Sequence, residues 1–175
     1  PRKHIKDCID REDLNSPGVY LLFGKDEANK DLVYVGEAET IFSRLNQHLS
    51  QKDFWHEVIV FVSKDENLNK AHIKYLESRL YELAKSIDRY QVVNAVTPTR
   101  SAIAESDRSE MEEYVEYVRM LVSTLGHKVF DDKRELDNKS NVMISQETFA
   151  LSTAGTISPE RYAEAKGMIT SDGFV

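Results

Sequence analysis

The chain holds a single cysteine, Cys8, among 175 residues. Without a second thiol it forms no internal disulfide and no cysteine-based zinc site. His4 stands four residues before Cys8, but two ligand types with no others nearby are an accidental spacing. No apolar run approaches the length of a membrane span and no signal-peptide pattern opens the chain. The expectation is therefore a cytoplasmic protein with no membrane partner. Internal repeats and low-complexity tracts are missing as well. So is any excess of basic charge: the net charge is -7. That argues against a freestanding, sequence-independent DNA clamp, which gains affinity by releasing counterions through many Lys and Arg contacts. The deficit is uneven. Residues 1–100 hold 15 Lys and Arg against 16 Asp and Glu, a balance of -1, and residues 101–175 hold 8 against 14, a balance of -6.

What is present, 41% hydrophobic and 30% charged residues, suits one well-buried core with an appendage. Residues 1–16 form a polar N-terminal segment, and Pro17-Gly18 punctuates its end. A catalytic-sized domain is expected over 17–99, followed by a helical extension over 100–130 that packs on it. A charged linker, 131–141, leads to the start of a small C-terminal unit over 142–175. The chain begins at Pro1 rather than Met and stops in what reads as a strand, so it is expected to be cut from a longer protein, with that last unit truncated.

Strands are expected at 19–23 and 32–35, close enough to pair as an antiparallel hairpin, and at 58–62. Helical spacing marks 40–49, through Ile41, Phe42, Leu45 and Leu49, and 68–87, through Leu68, Ala71, Leu76, Leu80, Leu83 and Ile87. A third helix over 107–125 has Met111, Val115, Val118, Val122 and Leu125 on one face. Asp107 and Glu110 resemble a capping box at its start, and Gly126 stops it. Beyond the linker, a strand is expected at 148–151 and a short helix after Pro159. An α+β fold follows, a small antiparallel sheet covered by helices.

Gly18-Val19-Tyr20 stands on the first strand and Tyr34-Val35-Gly36 on the second, so Tyr34 is expected beside Tyr20 across the hairpin. Arg44 and His48 are one helical turn apart on one face. Measured from Leu45 at about 100° per residue, His48 falls about 60° to one side and Arg44 about 100° to the same side, at the border of core and cleft. Glu77 lies about 100° from Leu76 on its own helix.

The order Gly-Val-Tyr, Tyr-Val-Gly, Arg44 with His48, then Glu77 and Asn94 resembles the GIY-YIG nuclease family over residues 17–96. Both central isoleucines of the name motif are valine here, which keeps a β-branched core residue. Asp53-Phe54-Trp55 and the run Ala71 to Glu77 resemble one bacterial branch of that family. Ala165-Lys166-Gly167 and the closing Asp172-Gly173-Phe174-Val175 resemble the start of a small domain of unknown role that trails such nucleases.

The resemblance implies a small three-stranded antiparallel sheet flanked by helices, here with an additional C-terminal helix and a partial appendage. It implies a metal-dependent endonuclease that hydrolyses DNA phosphodiester bonds. Glu77 would bind Mg²⁺, with Mn²⁺ able to substitute, and Arg44 would bind the scissile phosphate. Tyr20 would activate water, with His48 relaying the proton or taking it first. A phenol is a poor base at neutral pH, so nearby positive charge is expected to lower its pKa. Tyr34 would orient water or phosphate, Gly36 would let the substrate backbone approach, and Asn94 would brace the helix end and the site. DNA is the expected partner, with a protein partner or a flanking domain for targeting. The alternative is a catalytically weak or inactive nucleic-acid-binding module that depends on a partner.

Taken singly, these residues have plainer readings. Strand tyrosines pack, His48 complements a helix C-terminus, Arg44 makes a surface ion pair, Glu77 pairs with Lys74, and Asn94 ends a helix. Their shared order decides for the site. Trp55 reads as a core anchor rather than a base-stacking platform.

Overall fold

The computed structural model describes residues 1–64 and 67–132 and, beyond these, the backbone of three strands at 148–152, 164–170 and 173–174. The chain divides into two compact units, Pro1–Lys133 and Arg134–Val175.

In the first unit, β1 (Gly18–Lys25) and β2 (Asp31–Ala38) form the expected hairpin, and β3 (Trp55–Val62) pairs antiparallel with the other side of β1. The sheet nevertheless differs from the three-stranded antiparallel one expected. A two-residue β4 (Gln91–Val92) adds to β2 in parallel, giving a four-stranded mixed sheet in the order β3-β1-β2-β4. Two residues leave no periodicity to read, so this strand is invisible to pattern.

As the central strand, β1 is buried from Gly18 to Gly24, and its pleat sends alternate side chains to opposite faces. Val19, Leu21 and Phe23 join the core formed with α2 (Lys70–Ile87) and α3 (Glu105–Thr124). Tyr20 and Leu22 join the core on the other face, with α1 (Ile41–Gln51).

The helices form where the apolar stripes predict, and their ends have physical causes. Asn69 caps α2 through its side chain, which accepts hydrogen bonds from the amides of Ala71 (2.8 Å) and His72 (3.0 Å). Asp88 closes α2 in the left-handed region at φ 52°. Gly126, at φ +95°, terminates α3 with paired bonds from its own amide to the Ser123 carbonyl and from the His127 amide to that of Val122.

Met111, Val115, Val118 and Val122 of α3 are buried, so this helix closes the core of its own unit. Leu125 is not on that face and is 62% exposed. The capping box expected at its start does not form. The helix begins earlier, at Glu105, and Asp107 instead faces Nε2 of His72 on α2 at 3.2 Å.

The N-terminal segment is more than a polar leader. Short 3-10 turns bury Ile5 and Leu14 against Trp55 and the α1 face, and the Arg2 guanidinium lies 5.1 Å from the Trp55 ring centre. Trp55 is buried, as a core anchor should be.

In the second unit, β5 (Thr148–Ser152), β6 (Glu164–Thr170) and β7 (Gly173–Phe174) form an antiparallel sheet in that order. The strand expected at 148–151 falls on β5. The linker 131–141 lies outside the described residues except for its first two, and the turn of helix expected after Pro159 lies outside them up to residue 163. Among the described residues no helix is long and apolar enough to cross a membrane.

Candidate active site

The hairpin register places Tyr20 opposite Gly36 and Tyr34 opposite Leu22. The two tyrosines are therefore diagonal neighbours on one face rather than directly opposed. Their rings stack with centroids 6.3 Å apart and planes 28° from parallel. A Cβ built on Gly36 would come 2.4 Å from both the hydroxyl oxygen and Cζ of Tyr20. The space left by this glycine is thus taken by the tyrosine ring, not kept for a substrate backbone as the sequence led us to expect.

His48 reaches the same ring from α1, on the stripe of Ile41 and Leu45. Its Nε2 lies 2.7 Å from the Tyr20 hydroxyl, and both residues are buried, at 4% and 1% exposure. Burial, then the charges of Lys52 and Arg44, hold the imidazole pKa down to about 4, so His48 is neutral at pH 7. Its Nδ1 is buried without a partner among the described residues. A buried N–H with no acceptor is the rarer and costlier orphan. The favoured tautomer therefore carries its hydrogen on Nε2, donates to the Tyr20 oxygen, and leaves the tyrosine hydrogen free to point elsewhere.

The Tyr20 pKa is raised, not lowered as expected for a base. Burial is the main cause, Tyr34 and Glu77 add to it, and Arg44 opposes it. Tyr34 is raised too, by burial and then by Glu77. The Lys52 ammonium sits 4.3 Å from the centre of the Tyr34 ring, a cation on an aromatic face.

Glu77 comes from α2, beside the buried Leu76 and one turn from Ile73. It is half-buried, and burial followed by the neighbouring Glu37 charge pushes its pKa up to about 7, with Arg44 and Lys74 pulling it down. Arg44 is exposed, donates to Gln47 Oε1 at 3.2 Å, and lines a polar cleft of about 280 Å³ with Glu37, Ser43 and Lys70. Its charge acts on Tyr20, Tyr34, His48 and Glu77 alike.

Asn94 braces a strand, not the helix end expected. Its Oδ1 accepts from the Val35 amide at 3.0 Å and its Nδ2 donates to the Val35 carbonyl at 2.7 Å, imitating a strand partner just where β4 has ended. Beyond Val35 the edge of β2 has no strand beside it among the described residues. Side chains from both faces of the sheet reach this open edge, Tyr34 from one face with the buried Tyr20 and His48 packed behind it, and Glu77 from the other face, within the field of Glu37. A cleft of about 380 Å³ there is lined by Tyr34, Lys52, Lys74, Glu77, Asn94 and residues 95–99.

Lys52 and Glu37 were missed as site residues, and Lys74 was weighed only as a surface partner of Glu77. Part of the signal was present: Lys74 precedes Glu77 by three residues, which sets the pair on one helix face, whereas Lys52 follows α1 in extended conformation.

For a metal, the candidate donors are hard carboxylate oxygens, Glu77 with Glu37 beside it. Among the described residues no three His, Cys, Asp or Glu side chains group in a way that could hold an ion. A carboxylate held partly protonated by burial and then by a second carboxylate is a point short of positive charge, and one carboxylate with retained waters is the coordination Mg²⁺ accepts. The donor type, a hard carboxylate oxygen, matches that ion.

Comparison with protein-family models, curated proteins and solved structures finds no match to this chain.

Proposed function

We propose that this protein is a metal-dependent endonuclease of the GIY-YIG kind, cutting DNA phosphodiester bonds at the open edge of β2. The observation that carries the reading is the convergence there of a hydrogen-bonded tyrosine–histidine pair, a second tyrosine, and a carboxylate whose pKa is raised to about 7, all within the field of Arg44.

In this reading the scissile phosphate binds Arg44, whose guanidinium is exposed and weakly engaged, with Lys52 and Lys74 at the cleft wall. Tyr20 activates the attacking water. His48 Nε2–H, donated to the Tyr20 oxygen, favours the phenolate that this role requires. Arg44 acts in the same direction. Tyr34 orients the phosphate or the water, its ring held between Tyr20 and Lys52. Gly36 makes the Tyr20 position possible, and Asn94 fixes the strand that carries Tyr34 and Gly36. Glu77 holds Mg²⁺, which when bound supplies positive charge to the phosphate and leaving oxygens.

The burial of Tyr20, 1% exposed, favours a second reading, a nucleic-acid-binding module without productive cleavage. A panel of single-stranded, duplex, branched and flapped DNA with Mg²⁺ or Mn²⁺ separates the two. Metal-dependent nicking that Glu77→Gln abolishes supports the nuclease; binding with no cutting of any substrate supports the module.

A further inference from the structure

Composition hides one place where the fold collects basic side chains. Arg2, Lys3, Lys6 and His56 line a cleft of about 710 Å³ whose apolar surface comes from Pro1 and Leu49, with the buried Trp55 at its base. No carboxylate is among its lining residues, although the chain carries 30 acidic side chains against 23 basic ones.

Arg2 belongs to the scaffold. It donates to the carbonyls of Leu49 at 2.9 Å and Asp53 at 3.0 Å, tying the N-terminal segment to the end of α1. Lys3 and Lys6 are different. Both are exposed, and neither pairs with a carboxylate among the described residues. Residues 2–8 wind through two 3-10 turns joined by Ile5 at φ -60° and ψ -39°. Residues three apart in such a turn eclipse one another, about 6 Å apart along its axis. Lys3 and Lys6 thus form a short row of two free ammonium groups along one wall.

The C-terminal end of α1 contributes to this cleft and to the candidate active site alike. Leu49 lines the first, and Lys52, three residues on past the end of α1, lines the second together with Tyr34 and Glu77.

We propose that this cleft binds an unpaired strand of DNA leading to the cutting site, Lys3 and Lys6 each meeting a backbone phosphate and the apolar surface receiving a base. The inference rests on the nuclease reading of the neighbouring site. Charge complementarity selects a polyanion, and the apolar surface selects one with a flat ring to offer. An unpaired strand presents its bases at little cost, whereas a duplex must unstack and unpair one.

The test is fluorescence anisotropy of a labelled oligothymidylate of about 12 nucleotides, titrated in EDTA at several salt concentrations. Lys3→Glu/Lys6→Glu is expected to bind at least about tenfold more weakly, with the slope of log affinity against log salt smaller by about 1.4, the value of two single-strand phosphate contacts. Its melting curve should match wild type, because both side chains are exposed; Lys3→Gln/Lys6→Gln provides a second variant without charge reversal and should show the same trend. A duplex of equal length and polyglutamate should bind less well than the oligothymidylate. Unchanged affinity and slope in the double variants, or a duplex or polyglutamate bound as tightly as the single strand, overturns the proposal. The assay requires no cutting. Lysine-dependent strand binding by a chain that cleaves nothing would overturn the nuclease reading alone, and cleavage with unchanged strand binding in the variants would overturn this inference alone.

Discussion

The Tyr20 hydroxyl meets Nε2 of His48 at 2.7 Å across the interface of β1 and α1, in space that exists only because residue 36 has no side chain. A strand, its hairpin partner and a helix each contribute one element to that contact, which makes it sensitive to small changes.

Gly36→Ala should show this first. The added methyl would lie 2.4 Å from the Tyr20 hydroxyl, so the ring must move in a packed core. We expect a loss of about 1 to 3 kcal/mol in urea unfolding, the usual scale of overpacking, and loss of cleavage. A variant as stable and as active as wild type would mean that Tyr20 is not held where cleavage needs it.

Tyr20→Phe keeps the ring and removes only the oxygen. Cleavage should fall by at least about a hundredfold while DNA affinity changes little. A rate within a few fold of wild type would leave Tyr20 as packing and make His48 the preferred base.

Two groups at the site make opposite pH contributions. The His48 pKa is depressed from 6.5 to about 4, so the unfolded chain binds that proton first and stability falls as pH drops from about 6.5 to about 4. The Glu77 pKa is raised from 4.5 to about 7, so its contribution is fully present below about 4.5 and is lost as pH rises through about 7. Over their shared window the two oppose one another. Glu77→Gln should unmask the histidine, giving a steeper loss of melting temperature on acidification than wild type; identical profiles would rule out a raised Glu77 pKa. At pH 8, Mg²⁺ should raise the melting temperature of wild type and not of Glu77→Gln, and the variant should fold but not cut. An equal Mg²⁺ effect on both would remove Glu77 as the metal ligand.

Asn94→Ala should expose the Val35 amide. Its Oδ1 is the acceptor for that N–H, and β4 does not extend far enough to replace it. Hydrogen exchange at Val35 is expected to accelerate and stability to fall by about 1 to 3 kcal/mol, the cost of unpaired backbone groups at a partly buried position. Unchanged protection would mean that another group satisfies the strand there.

Much of the site was legible because two periodicities govern it. Alternation along a strand puts Tyr20 and Tyr34 on one face, and the helical repeat puts His48 beside Leu45 and Glu77 beside Leu76. What remained hidden depends on register and on distant chain. The connection from Asp26 to Lys30, with Asn29 at φ 62°, sets Tyr20 against Gly36 instead of Tyr34, and no pattern encodes that offset. Ile5 and Leu14 are isolated apolar residues in a polar segment, and only the tertiary fold shows that they are buried. The same is true of the cleft that Lys3 and Lys6 share with His56, fifty or more positions away along the chain.

The brevity of β4 carries a risk as well as an opening. A strand edge that offers consecutive unpaired amides and carbonyls is a template on which another chain can add itself. By occupying both backbone groups of Val35 with one side chain, Asn94 interrupts that template at its first free position. On the nuclease reading, that edge must stay accessible to a large polyanion, and residue 94 then acts as a safeguard against polymerising through it as much as a brace.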